Sequence, residues 1–291
     1  MKNNEYMDMH IHTNNSDGEH SVSEIIELIK ENNIKTFSIT DHDSINSCVE
    51  INNLSLDSLE YYNGVEISSE YKKMGMHILG YDFDVTKEMI ELVNKIQSNR
   101  KKRSLELIEM LANDYQIIIP DNMIQTILNY QVVGRPHIIE ALYKLGYGSS
   151  NKEIFNKYLK NYTSKTKYRV ELEEVIKIIK KSNGVVILAH PKEIEERHHI
   201  DISSITHELV DLGIDGIEVY NTIHYEDDTK RYLEIAGEHN LLISGGSDYH
   251  GEFTKPDVEL GKLTKERIMI KELTLVDYLR RRDKNDNRSN R

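Results

Sequence analysis

Seven short apolar segments run through this chain, each ending on or close to a histidine, a carboxylate or a glycine turn. They lie at residues 6–12, 35–40, 59–67, 76–81, 184–189, 216–220 and 241–245. Most of them do not alternate between apolar and polar residues, which is typical of strands buried on both faces of a parallel sheet. The pattern therefore predicts an α/β chain whose polar residues gather where the strands end.

Helical patterns separate several of these strands. Amphipathic segments lie at residues 23–32, 172–181, 203–212 and 228–239, and Ser21 or Ser23 could cap the first of them. Repeated strand, helix, strand order predicts parallel pairing with right-handed crossovers. In barrels built this way the loops at the C-terminal strand ends converge on one mouth and carry the chemistry. We therefore expect a TIM-like barrel with its functional residues at the mouth.

Residues 86–168 interrupt the alternation, because almost the whole segment has helical periodicity. Helices are predicted at residues 87–113, 121–129, 136–145 and 151–162. We interpret 86–168 as a helical lid inserted into a discontinuous barrel of residues 1–85 and 169–279, since loops on this face of a barrel are the usual place for insertions. Residues 280–291 are polar and basic without apolar periodicity, and we predict that they are disordered.

Composition limits the compartment and the partners. The chain has 291 residues, of which 38% are hydrophobic, without an apolar segment of membrane-spanning length or a signal-peptide pattern. Its single cysteine, Cys48, excludes an internal disulfide and a thiolate-rich zinc site and is expected to pack in the core. These features predict a soluble, cytoplasmic protein of undetermined oligomeric state. A net charge of −12 argues against wrapping duplex nucleic acid, although bound cations would still attract a small anionic substrate.

Nine side chains near the strand ends are of the types that bind transition metals. They are His10, His12, Asp17, His42, Glu66, His77, His190, Asp248 and His250. An isolated His-x-His pair is as often an exposed pair without a ligand, but repetition at other strand ends favours a shared site. His77 stands at the start of its segment rather than the end, and Asp41 or Asp43 could orient His42. The other histidines lack strand-end placement and are expected in solvent: His20, His198, His199, His207, His224 and His239.

Taken together, the motifs resemble the PHP (polymerase and histidinol phosphatase) superfamily of metal-dependent phosphoesterases, from His10 to about Gly261. They are His-Ile-His at 10–12, Asp-Gly at 17–18, Thr-Asp-His-Asp at 40–43, Gly-Val-Glu-Ile-Ser at 64–68, His-Ile-Leu-Gly at 77–80, Gly-Arg-Pro-His at 134–137, Ala-His-Pro at 189–191 and Gly-Ser-Asp-Tyr-His at 246–250. The resemblance is to the branch that acts on nucleoside 3′,5′-bisphosphates and short RNA 5′ ends. It implies a distorted seven-stranded barrel, in agreement with the number of apolar segments.

The resemblance also implies a centre of two to three divalent metals, which could be manganese, zinc or iron. By analogy, one metal takes His10, His12, Glu66 and Asp248, a second shares Glu66 and adds His77 and His190, and a third takes Asp17, His42 and His250. A hydroxide bridging the cations would attack phosphorus, so no protein nucleophile is expected. Asp248 is a candidate catalytic residue as well as a ligand, because it could accept a proton from the attacking water.

Arg135 and His137 flank Pro136, which suits the first turn of a helix, where free amides and the helix dipole favour an anion. We predict that both residues contact a substrate phosphate, with Lys192 as a further candidate. The alternative is a surface arginine with a capping histidine.

The expected activity is release of the 3′-phosphate from a nucleoside 3′,5′-bisphosphate, with 5′-to-3′ trimming of short RNA as an additional activity. A phosphatase for histidinol phosphate or a cyclic sugar phosphate is an alternative within the enzyme class. A non-catalytic metal-binding or polymerase-associated module is the alternative outside it. The expected partners are small phosphorylated molecules, and neither duplex nucleic acid nor a membrane.

Overall fold

A computed structural model describes residues 5–162, 166–167, 169–263, 268–271 and 273–289. The strands are β1 (Tyr6–Ile11), β2 (Ile34–Ile39), β3 (Glu60–Tyr61), β4 (Gly64–Tyr71), β5 (Met74–Tyr81), β6 (Val170–Glu171), β7 (Val185–Leu188), β8 (Gly216–Tyr220), β9 (Leu242–Gly245), β10 (Lys262–Leu263) and β11 (Ile268–Met269). The helices are α1 (Val22–Glu31), α2 (Asn46–Glu50), α3 (Lys87–Tyr115), α4 (Asp121–Asn129), α5 (Arg135–Lys144), α6 (Asn151–Ile154), α7 (Leu172–Lys181), α8 (Pro191–His198), α9 (Ser203–Leu212), α10 (Glu226–His239) and α11 (Thr274–Ser289).

The strands form an α/β fold with mixed sheets. One sheet has the parallel order β1-β2-β3, and a six-stranded sheet has the order β6-β4-β5-β7-β8-β9. Two isolated parallel bridges connect the sheets, one between Ile11 and Tyr249 and one between His42 and Glu66. Both bridges lie at or just beyond strand ends that carry predicted ligands. The sheets therefore meet where the functional residues are concentrated.

The expectation of purely parallel pairing is wrong at β5, which pairs antiparallel with both β4 and β7. The cause is a two-residue hairpin turn at Lys72 and Lys73, whose φ angles of 48° and 66° are those of a type I′ turn. As a result His77, in the middle of β5, pairs with Ser68 in the middle of β4. The reversed strand explains how a histidine at the beginning of an apolar segment reaches the same edge as residues at strand ends.

The strand predicted at 59–67 is divided between β3, which pairs with β2, and β4, which belongs to the larger sheet. The chain changes sheets just before Gly64. A Cβ atom there would collide with the Ser38 hydroxyl and lie 2.6 Å from the Ile39 carbonyl oxygen. Only glycine therefore allows β4 to start this close to β2.

The helices cover the sheets with their apolar faces. The main core joins β4, β5, β7 and β8 to helices α7, α9 and α10, and it contains fully buried residues such as Ile179, Leu209 and Tyr232. Ser21 caps α1 in a capping box with Glu24, which decides between the two predicted caps. In the part of the chain that the structure describes, none of the helices is both long and apolar enough to cross a bilayer.

The helices predicted between residues 86 and 168 are present as α3 to α6, with the last continued by a short π-helical segment at Phe155–Leu159. Residues 163–165 and 168 of this segment lie outside the described residues. The side chains between Leu107 and Tyr162 share an apolar core of their own, centred on residues such as Leu111, Ile138 and Ile154. Its helices also touch loops that carry predicted ligands: Gln97 Nε2 donates to the Asp43 carbonyl oxygen at 2.8 Å.

Residues 280–289, for which the composition predicted disorder, continue helix α11, and residues 290 and 291 lie outside the described residues. The helix is anchored by the buried side chains of Val276 and Leu279. Arg280 follows them and donates to Glu60, with Nη2 to Oε2 at 2.6 Å. Composition alone suggested disorder, because these anchoring contacts are tertiary.

Candidate metal centre

All nine predicted ligands converge on one cluster. His10 is on β1, Glu66 on β4 and His77 on β5, and the others follow β1, β2, β7 and β9 in loops. Their ligand atoms form overlapping groups within which every atom lies within 4.8 Å of the others. The groups are His12, Asp17, His42 and His250; His10, His190 and Asp248; His10, His12 and Glu66; His42, Glu66 and His77; and His77, His190 and Glu193.

Glu66 is the centre of the cluster, because its two carboxylate oxygens face five different imidazoles. Its Oε2 lies 3.4 Å from His10 Nε2, 3.3 Å from His12 Nε2 and 2.9 Å from His42 Nδ1, and its Oε1 lies 2.9 Å from His77 Nδ1 and 2.8 Å from His190 Nε2. Its side chain is 1% exposed. A carboxylate so placed can bind two cations at once, one through each oxygen.

Asp17 and Asp248 are the other two carboxylates of the cluster. Asp248 Oδ1 is 3.3 Å from His12 Nε2 and 3.3 Å from His250 Nδ1. Asp17 Oδ1 is 3.3 Å from His250 Nε2. Asp17 therefore lies with His250 and His12 in the group that also includes His42, whereas Asp248 is also close to His10.

The unsatisfied polar atoms of the cluster show that its residues fit metal ions. Several ligand atoms lie within ion-pair distance of one another, yet among the residues that the structure describes eight buried ones make no hydrogen bond of suitable geometry: His10 Nε2, His12 Nδ1 and Nε2, Asp17 Oδ1, His42 Nδ1, Glu66 Oε2, His77 Nδ1 and His190 Nδ1. Leaving a buried polar atom unpaired costs about 1–3 kcal/mol, so such a concentration is unfavourable without a ligand. Nitrogen and oxygen donors without sulfur match manganese, zinc or iron.

The carboxylates of the cluster stay ionised in spite of their burial. Burial alone would raise the pKa of Glu66, but the imidazoles of His42, His77 and His10 hold it well below its usual range. Burial would also raise the pKa of Asp248, which the Lys255 ammonium and His10 instead hold well below its usual range. Both carboxylates are therefore charged at neutral pH and ready to bind a cation.

Three residues that the sequence did not single out support the cluster. Glu218, fully buried on β8, accepts from His10 Nδ1 at 2.9 Å and from the His190 backbone N–H at 2.7 Å. This bond fixes the His10 tautomer that leaves Nε2 free to bind a metal. Glu193, in the first turn of α8, lies 3.0 Å from His190 Nδ1 and is a tenth candidate ligand.

The third residue is Lys255, whose ammonium donates to Asp248 Oδ2. The sequence did contain a signal for two of these residues. Glu218 is an acid inside the apolar segment Gly-Ile-Glu-Val-Tyr, and Glu193 is an acid three residues after the strand-end histidine His190. Lys255 had no such signal.

The expectation that Asp41 or Asp43 orients His42 does not match the structure. Asp41 accepts from the Thr13 hydroxyl at 2.7 Å and from the Ser47 hydroxyl, which ties the loop after β1 to α2. Asp43 accepts from Ser68 and from Arg100 of α3. Both acids instead fix the backbone around the site. The carboxylate that lies next to His42 Nδ1 is that of Glu66.

A sequence profile of the PHP domain matches residues 8–244. The chain belongs to the PHP family. It is 28% identical over 266 residues to the 5′-3′ exoribonuclease Rnm of Escherichia coli K12, with 88% of each protein covered. It is 25% identical over 253 residues to the 3′,5′-nucleoside bisphosphate phosphatase of Chromobacterium violaceum, with 84% of this chain and 87% of the relative covered. It is 23% identical to the phosphoribosyl 1,2-cyclic phosphate 1,2-diphosphodiesterase of Eggerthella lenta, with 84% and 94% covered.

Solved structures share the PHP chain's fold. One of them is a Bifidobacterium adolescentis protein provisionally described as a metal-dependent phosphoesterase. It superposes on this chain with a TM-score of 0.79 at 25% identity, and the superposition covers 90% of this chain and 94% of the other. An amidohydrolase of Chromobacterium violaceum superposes with a TM-score of 0.76 at 23% identity, covering 92% and 91%. The resemblance to the PHP superfamily noted from the sequence motifs is confirmed.

The three predicted phosphate contacts of the PHP chain have different surroundings. His137 is buried at the start of α5, and its Nδ1 accepts the Gly134 N–H at 3.1 Å. Arg135 lies with its guanidinium 5.8 Å from the Phe155 ring centre. Lys192 pairs with Asp228 at 2.5 Å.

One histidine predicted to be solvated is not. His224 is 2% exposed, and its Nδ1 lies 2.8 Å from the Val219 carbonyl oxygen. Burial lowers its pKa to about 4, so the imidazole is neutral at physiological pH. The loop after β8 folds inward over Tyr232, whose ring centre is 4.9 Å from that of His224. That contact is tertiary, and spacing along the chain did not indicate it.

Proposed function

We propose that this PHP chain is a metal-dependent phosphoesterase. The observation that carries the proposal is the position of Glu66 between five imidazoles, flanked by the carboxylates of Asp17 and Asp248. Two to three divalent cations held there would neutralise charge on a phosphoryl group and lower the pKa of water. The metal assignments derived from the resemblance are part of this proposal, with Glu193 added as a candidate partner of His77 and His190.

Asp248 is the proposed proton acceptor for the attacking water. Its Oδ1 faces the imidazoles of His12 and His250, while Lys255 holds its Oδ2. The lysine keeps the carboxylate ionised, which a proton acceptor requires. Glu218 holds His10 in its liganding tautomer during turnover.

The proposed reaction is hydrolysis of the 3′-phosphate of a nucleoside 3′,5′-bisphosphate, with 5′-to-3′ trimming of short RNA as an additional activity. The names of the Escherichia coli and Chromobacterium violaceum relatives support this substrate class. Arg135, His137 and Lys192 are the proposed contacts to the substrate. His137 has the strongest geometric support, because it lines a cavity that also contains Asp17.

We further propose that the two connected sheets form a distorted seven-stranded barrel of residues 1–85 and 169–279, and that residues 86–168 cover its mouth as a lid. Contacts between α3 and the loop after β2 support this arrangement: Arg100 pairs with Asp43 at 2.6 Å. A second contact supports it as well: Asn151 Nδ2 donates a hydrogen bond of 3.0 Å to the carbonyl oxygen of Phe253, in the loop after β9. A cytoplasmic location would suit the buried, unpaired Cys48.

A cyclic sugar phosphate or histidinol phosphate is the second candidate substrate class. The Eggerthella lenta relative favours the cyclic compound, since its name describes a phosphodiesterase that acts on a cyclic phosphate. A non-catalytic metal-binding module is the third possibility, and the unpaired, buried ligand atoms by themselves fit it as well.

A phosphate-release screen with added manganese separates the three candidates. The panel contains nucleoside 3′,5′-bisphosphates, mononucleotides, histidinol phosphate and cyclic and acyclic sugar phosphates. The proposal predicts the highest kcat/KM for a nucleoside 3′,5′-bisphosphate, loss of activity in chelator and full activity in His207→Ala, whose side chain is 78% exposed. A higher value for a sugar phosphate would favour the second class, and no release from fully metal-loaded protein would favour the third.

A further inference from the structure

A cavity of about 530 Å³ opens next to the cluster. One wall is the loop after β1 with Asp17, a second is formed by the helices between β5 and β6 with Tyr130, His137 and Asn151, and a third is the loop after β9 with Phe253. A nucleoside fits such a volume, since pockets for small ligands start at about 300 Å³. Asp17 belongs both to the lining of this cavity and to the cluster of candidate metal ligands, so one end of a molecule in the cavity can reach the metals.

The charge of the cavity disfavours a second phosphate at the end that lies away from the metals. Its lining includes the carboxylates of Asp17, Glu19 and Glu140, and among the described residues that line it there is neither a lysine nor an arginine. Lys144 pairs with Glu140, but it does not line the cavity. An acidic lining repels anions and favours a neutral group that donates hydrogen bonds. The occupant is therefore neutral at the end that lies away from the metals.

Aromatic rings supply a flat surface in the same cavity. Phe253 is 43% exposed, and its ring is held by an edge contact with Tyr143 at 5.6 Å between ring centres. On the opposite wall the Tyr130 ring lies 4.0 Å from the ring of His137. An exposed phenylalanine fixed at the rim of a cavity can stack on a planar heterocycle.

Asn151 adds a directional acceptor. Its Nδ2 donates to the Phe253 carbonyl oxygen at 3.0 Å, which fixes the orientation of the amide. Its Oδ1 is buried and, within the described parts of the chain, has no hydrogen-bond partner. An exocyclic amino group of a base would satisfy this atom.

We propose that this cavity is the subsite for the base of the substrate, with Phe253 stacking on the ring and Asn151 Oδ1 accepting from its amino group. The assignment rests on the proposed phosphoesterase function and adds what recognises the nucleoside. Adenine and cytosine carry such an amino group, whereas uracil does not. The subsite thus distinguishes a nucleotide from a sugar phosphate, and an amino-bearing base from uracil.

The test compares wild type with Phe253→Ala on adenosine 3′,5′-bisphosphate and on 1-O-methylribose 3,5-bisphosphate, which lacks the base. We expect kcat/KM for the nucleotide to fall about tenfold or more, as is usual when a stacking ring is removed, with little change for the abasic compound. Phe253→Trp should keep the preference for the nucleotide. Tyr115→Ala is the control, because this ring at the end of α3 is similarly exposed, at 41%, but does not line the cavity.

Equilibrium dialysis of adenosine and uridine against metal-free protein gives a readout that does not depend on turnover. The proposal predicts tighter binding of adenosine, weakened by Phe253→Ala. Equal effects of Phe253→Ala on both bisphosphates, or no effect on either, would overturn the subsite while leaving the phosphoesterase intact. Phe253-dependent binding of adenosine by protein that hydrolyses none of the phosphate esters would overturn the proposed function instead.

Discussion

Glu66→Gln separates the metal-binding role of this residue from its structural role. The amide has the shape of the carboxylate but lacks its charge, and it is a poor bridge between two cations. The carboxylate lies 2.8 to 3.4 Å from five imidazole nitrogens, so the substitution alters every metal position proposed around it. We expect turnover to be abolished with the overall fold intact.

The size of the effect follows from these contacts. Replacing a group that only orients a ligand reduces metal affinity or activity by about 10–100-fold, and a direct ligand shared by two metals should exceed that range. In metal-free protein the loss of the buried anion beside His42 should also reduce the free energy of unfolding by about 3–5 kcal/mol, the usual result of breaking a buried ion pair. Saturating manganese should restore part of that stability but not the turnover.

The assay combines phosphate release at saturating manganese, elemental analysis of the bound metal and urea unfolding with and without chelator. Glu70→Gln is the matched control, since Glu70 lies on the same strand but pairs with Lys167 at 2.8 Å. It should bind metal and turn over substrate like wild type. A folded Glu66→Gln protein with wild-type metal content and near-normal turnover would refute the bridging role.

Three further substitutions test other parts of the site. Arg135→Ala should raise KM for a nucleoside bisphosphate about tenfold while changing KM for an aryl phosphate little. Equal increases in KM for both substrates would place Arg135 at the reacting phosphate, and unchanged KM for both would show that Arg135 does not contact the substrate. Glu218→Gln should weaken manganese binding about 10–100-fold in titration calorimetry because His10 loses its orienting acceptor; unchanged affinity would contradict that role. Burial lowers the pKa of His42, but Glu66 and Asp17 outweigh it and raise that pKa to about 9. The stability that His42 contributes in chelator is thus present below pH 6.5 and lost as the pH rises through about 9, so His42→Ala should destabilise the metal-free protein more at pH 6 than at pH 10 in urea unfolding.

The sequence predicted those elements whose periodicity is local. The segments at 121–129, 172–181 and 203–212 coincide with α4, α7 and α9, because each has a distinct apolar stripe along one face. Helix α8 was not predicted, since only Pro191 and Ile194 of its eight residues are buried and the rest are polar. A helix that buries so little leaves almost no periodic signal.

The sequence predicted which residues come together in the cluster, but not the contacts that support them. A histidine or acid at a strand end is visible in the sequence, and all nine predicted residues lie in the cluster. The direction of β5 was not visible, because Lys72 and Lys73 are not the residues that usually mark a type I′ turn. The interactions of Glu218 and Lys255 depend on how distant segments pack.

The metal content of the purified protein tests the central claim most directly. Protein supplemented with manganese, then desalted and shown to be folded, should contain about two to three equivalents of transition metal per chain by elemental analysis, because its nitrogen and oxygen ligands converge on Glu66. The same measurement on Glu66→Gln should show a clear loss. Less than about one equivalent in the folded wild-type protein would contradict the polynuclear centre.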